Sequence, residues 1–280
     1  MIANRSLSAQ MSDQLSLAFM APRSIGLANK EQRQLMARCW FSLASRKRTE
    51  AIEHRFGDNY VKITGTDDYG IATVHDSAVL QFATSHYIAA LNRGEEISRR
   101  FRFTAYDFWS WQNKAKNGGS GYEHLWASLR RLQNTNVETN IRVAAGVEMR
   151  RFQMLSEIKQ TVGIGGRHHG YEVIFPEFFY DNIQNMTSVL TLDARYFSLT
   201  SSIDRFLYLY VRQASGGRTD EWVEDIESIY KKSGSLSGVK HFKKHIKSIW
   251  DRGGQLLDYT VGYQMSARTK KLQLTMKRTG

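Results

Sequence analysis

The chain has 280 residues, enough for one large domain or two of ordinary size. Apolar residues make up 41% and aromatics 12%, which supports real cores and excludes general disorder, while the single cysteine, Cys39, excludes a disulfide framework and an all-cysteine zinc site. The formal charge of +12 points to a polyanionic partner, nucleic acid first and an anionic membrane surface second.

The N-terminus carries no apolar core followed by a small-residue cleavage site, and no run approaches the ~18 apolar residues of a membrane span. The chain is therefore expected to be soluble and cytoplasmic, with Cys39 a free thiol and no membrane partner. Residues 1–38, rich in Ser, Gln, Arg and Asn, are expected to form a flexible tail, with order beginning at Trp40, Phe41 and Leu43.

Tyr60 to Thr64 alternates like a strand, Asp67 to Gly70 turns, and Ile71 to Val74 is expected to pair back. Asp76 is placed to cap a helix from Ser77 to Asn92. Arg99 to Phe103 reads as a strand, and Thr104 with Asp107 as a capping box for a helix from Ala105 to about Lys114. After the turn Asn117 to Gly121, Ser120 and Glu123 form a second capping box, opening a helix to about Gln133. Asn136 to Val143 and Val147 to Ile158 read as a hairpin turning at Ala144 to Gly146. The glycine-dense stretch Gly163 to Gly170 is expected to be a loop near a domain boundary.

The second half repeats this plan without obvious identity. Tyr171 to Phe175 reads as a strand, Glu177 to Ile183 as a short helix, and Leu190 to Leu199 as containing a strand. Ser201 with Asp204 caps a helix through Val211. Trp222 to Lys232 reads as an acidic helix, Ser233 to Ser235 as a turn, and Val239 to Trp250 as a basic helix. Leu256 to Met265 and Lys271 to Met276 form a terminal hairpin. The expected class is α+β, with two tandem winged-helix domains, 39–165 and 166–280, each a helix-turn-helix followed by a β-hairpin wing.

The strongest local signal is the helix after Ser237. Val239, Phe242, Ile246 and Ile249 form an apolar stripe, and Lys240, Lys243, Lys244 and Lys247 cover the other side with His241 and His245. Such a helix rests on its domain and presents cations to a groove. From Ser237 onward there are ten Lys and Arg against Asp251 and Asp258, which accounts for eight of the twelve excess charges. Ser235 and Ser237 at the turn, and Arg268, Lys270 and Lys271 on the hairpin, complete this candidate surface. In the first half, Ser120, His124, Ser128, Arg130 and Arg131 on the helix and Arg142, Arg150 and Arg151 on the presumed wing form a second, less basic one, for which dimerisation is the competing use. The alternative for every one of these lysines is a solvated helix face.

Enzymatic signals are poor, so the chain is not expected to be an enzyme, and no cofactor or metal is expected. There is no P-loop, and Gly163-Ile-Gly-Gly166 does not fit G-x-G-x-x-G. His241 and His245 have the spacing of a zinc pair but lie among lysines and lack the glutamate of a metalloprotease. His168-His169-Gly170 does not supply the paired histidines of a nicking initiator. The aromatic stacking motifs of RNA binders are absent.

Five stretches in order resemble the plasmid replication initiator protein A family: Gly70-Ile-Ala-Thr-Val-His-Asp76, Tyr87-Ile-Ala-Ala-Leu-Asn-Arg-Gly94, Arg102-Phe-Thr-Ala-Tyr-Asp107, Gly119-Ser-Gly-Tyr-Glu123 and Lys231-Lys-Ser-Gly-Ser235. The resemblance runs from about residue 40 to the end. It implies an initiator that binds repeated sequences at a plasmid origin through two winged-helix domains, with the helices at Gly121 and Val239 as readers and switching between DNA-binding monomers and repressing homodimers. The implied partners are double-stranded origin DNA and, because no ATPase motif is present, the host replicative helicase and its loader. The rivals are a winged-helix transcriptional repressor with no replication role and a DNA-nicking relaxase.

Overall fold

The computed structural model describes residues 18–22, 26–114, 119–143, 146–164, 166, 168–184, 189–215 and 220–279. The backbone of Arg142 falls within these, but its side chain lies outside the described residues, as do the turn residues 115–118 and 144–145.

The centre of the first half is helix α2, Ala78–Asn92, preceded in the chain by α1, Arg33–Ala37. α2 is buried nearly all round, with Gln81, Thr84, Ser85 and His86 enclosed among its apolar residues. Phe82 is fully buried and packs edge-on against Phe101, Phe103 and Phe108. Strand β5 (Arg100–Phe103), α3 (Ala105–Trp111) and α4 (Gly119–Gln133) follow. Thr104 caps α3 by accepting from the Asp107 amide, as its spacing predicts. Strands β8 (Glu157–Val162) and β9 (His168–Ile174) then form a hairpin, and β5 pairs antiparallel with β9, giving the order β5-β9-β8.

The second half repeats this arrangement. After α5 (Glu177–Gln184), helix α6 (Ser202–Ala214), β11 (Trp222–Asp225), α7 (Ile226–Ser233), α8 (Gly238–Asp251) and, past the short β12 (Gln255–Leu256), the hairpin of β13 (Tyr259–Met265) and β14 (Leu272–Arg278) come in the same sequence. β11 pairs antiparallel with β14, so the order β11-β14-β13 matches that of the first half. Ser201 caps α6 by accepting from the Asp204 amide.

Two further sheets complete the described fold. Strands β3 (Ile52–Phe56), β4 (Asn59–Thr64), β6 (Asn136–Val143) and β7 (Gly146–Gln153) form an antiparallel sheet in that order, so the β6–β7 hairpin is an insertion between α4 and β8. Strand β2 (Lys30–Gln32) pairs with β10 (Val189–Thr191), and β1 (Phe19–Met20) runs parallel to β5. Buried side chains from Leu35 to Met276 belong to one continuous cluster. Among the described residues no helix is long and apolar enough to cross a membrane.

Several expectations are corrected. The part of the expected tail at 26–38 is ordered: β2 pairs with β10, and Leu35 and Met36 are buried in the core. Ile71 to Val74 is not a strand; β4 is already flanked by β3 and β6, and this segment makes one isolated bridge, Ser42 to Thr73. Asp76 does not cap α2, because its carboxylate accepts instead from the Thr73 amide and from Arg131. Ser120 lies inside α4 and so is not its cap. The strand expected at 147–158 is broken where Met154 and Leu155 turn into the core, and the chain leaves one sheet for another. Trp222 to Asp225 is a strand rather than the start of a helix, because β14 offers it an antiparallel edge. The boundary expected at 165/166 falls inside the β8–β9 hairpin, and His168 to Gly170 are strand residues.

Candidate nucleic-acid interface

α8 forms as its pattern requires. Phe242, Ile246 and Ile249 are buried, with Phe242 edge-on against Tyr230 of α7. The turn before it depends on Gly234, whose φ of +59° is the left-handed conformation of a helix C-cap. A side chain there would also meet Ile52 at 2.9 Å. Ser235 and Ser237 lie in this turn with their hydroxyls 2.8 Å apart, and Ser237 is exposed.

The structure sorts the cations of α8. Lys240, Lys244 and Lys247 are exposed, as is His241, and no carboxylate among the described residues pairs with these lysines. Lys243 instead holds Glu227 of α7 at 2.7 Å. His245 is tied inward, its Nε2 2.5 Å from Asp204 of α6 and 3.3 Å from the Ser201 hydroxyl. Between the lysine stems and the β13–β14 hairpin lies an apolar notch of 220 Å³ reaching Ile246, Tyr263 and Leu272. At the hairpin tip the Lys270 amide donates to the Ser266 carbonyl and the Thr269 amide to the Ser266 hydroxyl, a tight loop that leaves Arg268 and Lys270 in solvent. Lys271 is exposed and 4.0 Å from Asp225.

The first-half candidates divide differently. Ser120, Glu123 and His124 are exposed on the N-terminal turns of α4. Arg131 grips Asp76 with two bonds of 2.7 and 2.8 Å and reaches the half-buried Ser128. With Asp76 almost fully buried, that pair is structural. Arg130 stacks over Tyr69, 4.6 Å from the ring centre, and also donates to its hydroxyl. On β7, Arg150 is held by Glu148 at 2.8 Å, while Arg151 is exposed opposite Glu138.

A cleft of 1520 Å³ runs between α4 and the turn before α8, without reaching the α8 lysines. α4 contributes Trp126 and Arg130, the loop before β3 contributes Arg46 and Lys47, and Ser201, Ser235 and Ser237 come from the second half. Asp68 and Glu123 temper its charge. His75, also on the wall, is pushed down to about 4 by burial and by nearby Arg205, so it is neutral at physiological pH. Arg46, Lys47 and Tyr69 carry no pattern in the sequence that separates them from ordinary loop residues; only the fold brings them beside α4. Sequence reasoning also missed that His168 stacks on Tyr122 of α4 at 4.5 Å, which places the β8–β9 hairpin beside the start of that helix.

The profile of a family described as Replication initiator protein A matches residues 30–261. The chain belongs to that family. A replication protein of Wigglesworthia glossinidia brevipalpis is 30% identical to this initiator over 220 residues, covering 76% of this chain and 77% of its own. Among solved structures, a crystal structure of domains 2 and 3 of RctB superposes with a TM-score of 0.60 at 14% identity, covering 88% of the initiator and 98% of that chain. A second crystal structure of the same domains gives 0.53 at 14% identity, over 85% and 94%. At this identity the likeness is one of fold.

Proposed function

We propose that this initiator acts by gripping duplex origin DNA sequence-specifically with two winged-helix modules, and that it does so without covalent chemistry. The observation that carries the reading is the repeated arrangement of helix, strand, helix, helix and hairpin, in which the first strand pairs with the last. That is the order of a helix-turn-helix followed by a wing, with the second helix of the pair reading the major groove. In this assignment α4 and α8 are the readers. The wings are β8–β9 and β13–β14, so Arg142, Arg150 and Arg151 belong to an inserted hairpin rather than to a wing.

Charge supports the second module as the main source of affinity, because Lys240, Lys244, Lys247, Arg268 and Lys270 are all exposed on one reader and its wing. Lysines fix the register on phosphates, and base choice falls to shorter-range interactions formed once the helix is seated. The DNA is a repeated plasmid origin sequence, host helicase and loader enter after binding, and the same grip on a promoter overlapping the origin gives autorepression.

Replacing Lys240, Lys244 and Lys247 together by alanine is expected to weaken binding to the neighbouring origin DNA. The slope of log K against log salt should flatten by about 0.9 for each phosphate that the lysines no longer neutralise. Fluorescence anisotropy over a salt series measures both, and an unchanged slope would defeat the assignment. Plasmid maintenance with this gene as the sole replication gene separates an initiator from a repressor of the same fold.

A further inference from the structure

The two hairpins occupy the same place in their modules but end differently. The tip of β13–β14 presents Arg268 and Lys270, whereas on the tip of β8–β9 Ile164 is fully exposed, with Val162 half-exposed beside it; Arg167 of that tip lies outside the described residues. A scattered exposed aliphatic residue needs no explanation. Ile164 differs because of how it is mounted. Gly163 precedes it and Gly166, at φ +81°, follows closely, so nothing bulky at those positions shields it. The hairpin below is also aimed. Thr161 faces Gly170 but Val162 faces His168, a bulge that leaves His169 as the extra residue. Such bulges bend a strand and re-aim what lies beyond. Gly170 has φ +138°, and a Cβ there would meet the Phe103 carbonyl oxygen at 2.9 Å, so the bend is seated tightly on β5. His168 is then braced on both sides, stacked on Tyr122 and with its Nδ1 3.0 Å from Gln160. The tip therefore projects from a rigid base next to the N-terminal turns of α4, the end of a reader helix that meets base edges.

We infer that Ile164 is an apolar wedge, which enters the minor groove beside the site held by α4 and partly unstacks a base step there. The occupant is duplex DNA at a flexible step, of the pyrimidine–purine kind, where unstacking costs least. The chemistry suits the module. With Arg131 committed to Asp76 and Arg130 stacked on Tyr69, α4 itself has little free charge, so a shape contact beside it adds what the helix does not supply by phosphate neutralisation. A wedge at this point would let binding energy loosen the duplex locally without any ATPase. The inference rests on the DNA-binding reading above.

The test uses the full chain and a duplex that it enriches from a random-sequence library. Bending is read by energy transfer between end labels, and unstacked thymines by permanganate. Ile164→Ser should keep most of the affinity but lose most of the bend and the permanganate signal, while Ile164→Leu should retain both. Equal bending and equal reactivity for the parent and Ile164→Ser, or a parent complex that neither bends nor reacts, would overturn the inference while leaving DNA binding intact. Failure of the parent to enrich any duplex would defeat the DNA-binding reading itself, and the wedge with it.

Discussion

Glu31 lies in β2 with 1% of its surface exposed, and burial pushes its carboxyl up to about 7 against the pull of the Gln81 side chain and the Gln32 amide. Both oxygens act as acceptors, from the Gln32 amide at 2.8 Å and the Gln81 side chain at 2.7 Å. The Oε1 atoms of Gln32 and Gln81 are buried and lack a partner among the described residues, so this cluster is short of donors. A proton on Glu31 supplies one. Between the ordinary carboxylate range and about pH 7 the folded chain holds a proton that the unfolded chain has released, so stability falls as pH rises through that window. Below the window both states are protonated and the stabilisation is fully present. Glu31→Gln should therefore melt close to the parent at pH 5 and above it at pH 8, by an amount on the order of 3 kcal/mol. Calorimetry at the two pH values checks this, and an equal difference at both would show that Glu31 does not titrate in the fold.

Among the elements, α8 owes its placement to more than its apolar stripe. The 2.5 Å bond from His245 to Asp204 links it to the capped first turn of α6. A double-mutant cycle over Asp204→Ala and His245→Ala should give a coupling of about 1 kcal/mol in denaturant unfolding. Additive losses would mean that the His245–Asp204 bond does not help to hold α8. This tie was not legible in the sequence, where His245 reads as one more polar residue on a basic face. The helix itself was legible, because apolar residues three and four apart leave few alternatives. So were the caps at Thr104 and Ser201, whose partners are local. The hairpin expected to be the first wing pairs elsewhere for a physical reason. Asn136 to Gln153 has every local property of a wing hairpin, but its hydrogen-bond partner is β4, far earlier in the chain. Pairing over such distances leaves no trace in local spacing. Likewise Gly163, Gly166 and Gly170, which punctuate like a linker, serve a hairpin tip and a bulge.

At the scale of the whole molecule, two modules that read as separate in the sequence share one apolar cluster, and polar contacts reinforce the seam. Arg48 is 4% exposed and makes no ion pair with a carboxylate among the described residues. It donates instead to the backbone carbonyls of Glu50, Ala51 and Gly234, the last at 2.5 Å across the seam. The Cys39 amide donates to the Lys232 carbonyl nearby. The bonds to Gly234 and Lys232 fall on the turn before α8 and on the last turn of α7, so the first module braces the segment from which α8 departs. A shared core with a hydrogen-bonded seam should unfold as one unit. Calorimetry of the full chain is expected to show a single transition with equal calorimetric and van't Hoff enthalpies. Arg48→Met removes the donor shared by three part-buried carbonyls, each bond contributing about 1 kcal/mol net. That variant should melt earlier, with the transition broadened or split as the second module loses its support. Two transitions in the parent chain would mean that the modules are independent. The orientation of α8 relative to α4 would then not be fixed by the shared core and seam.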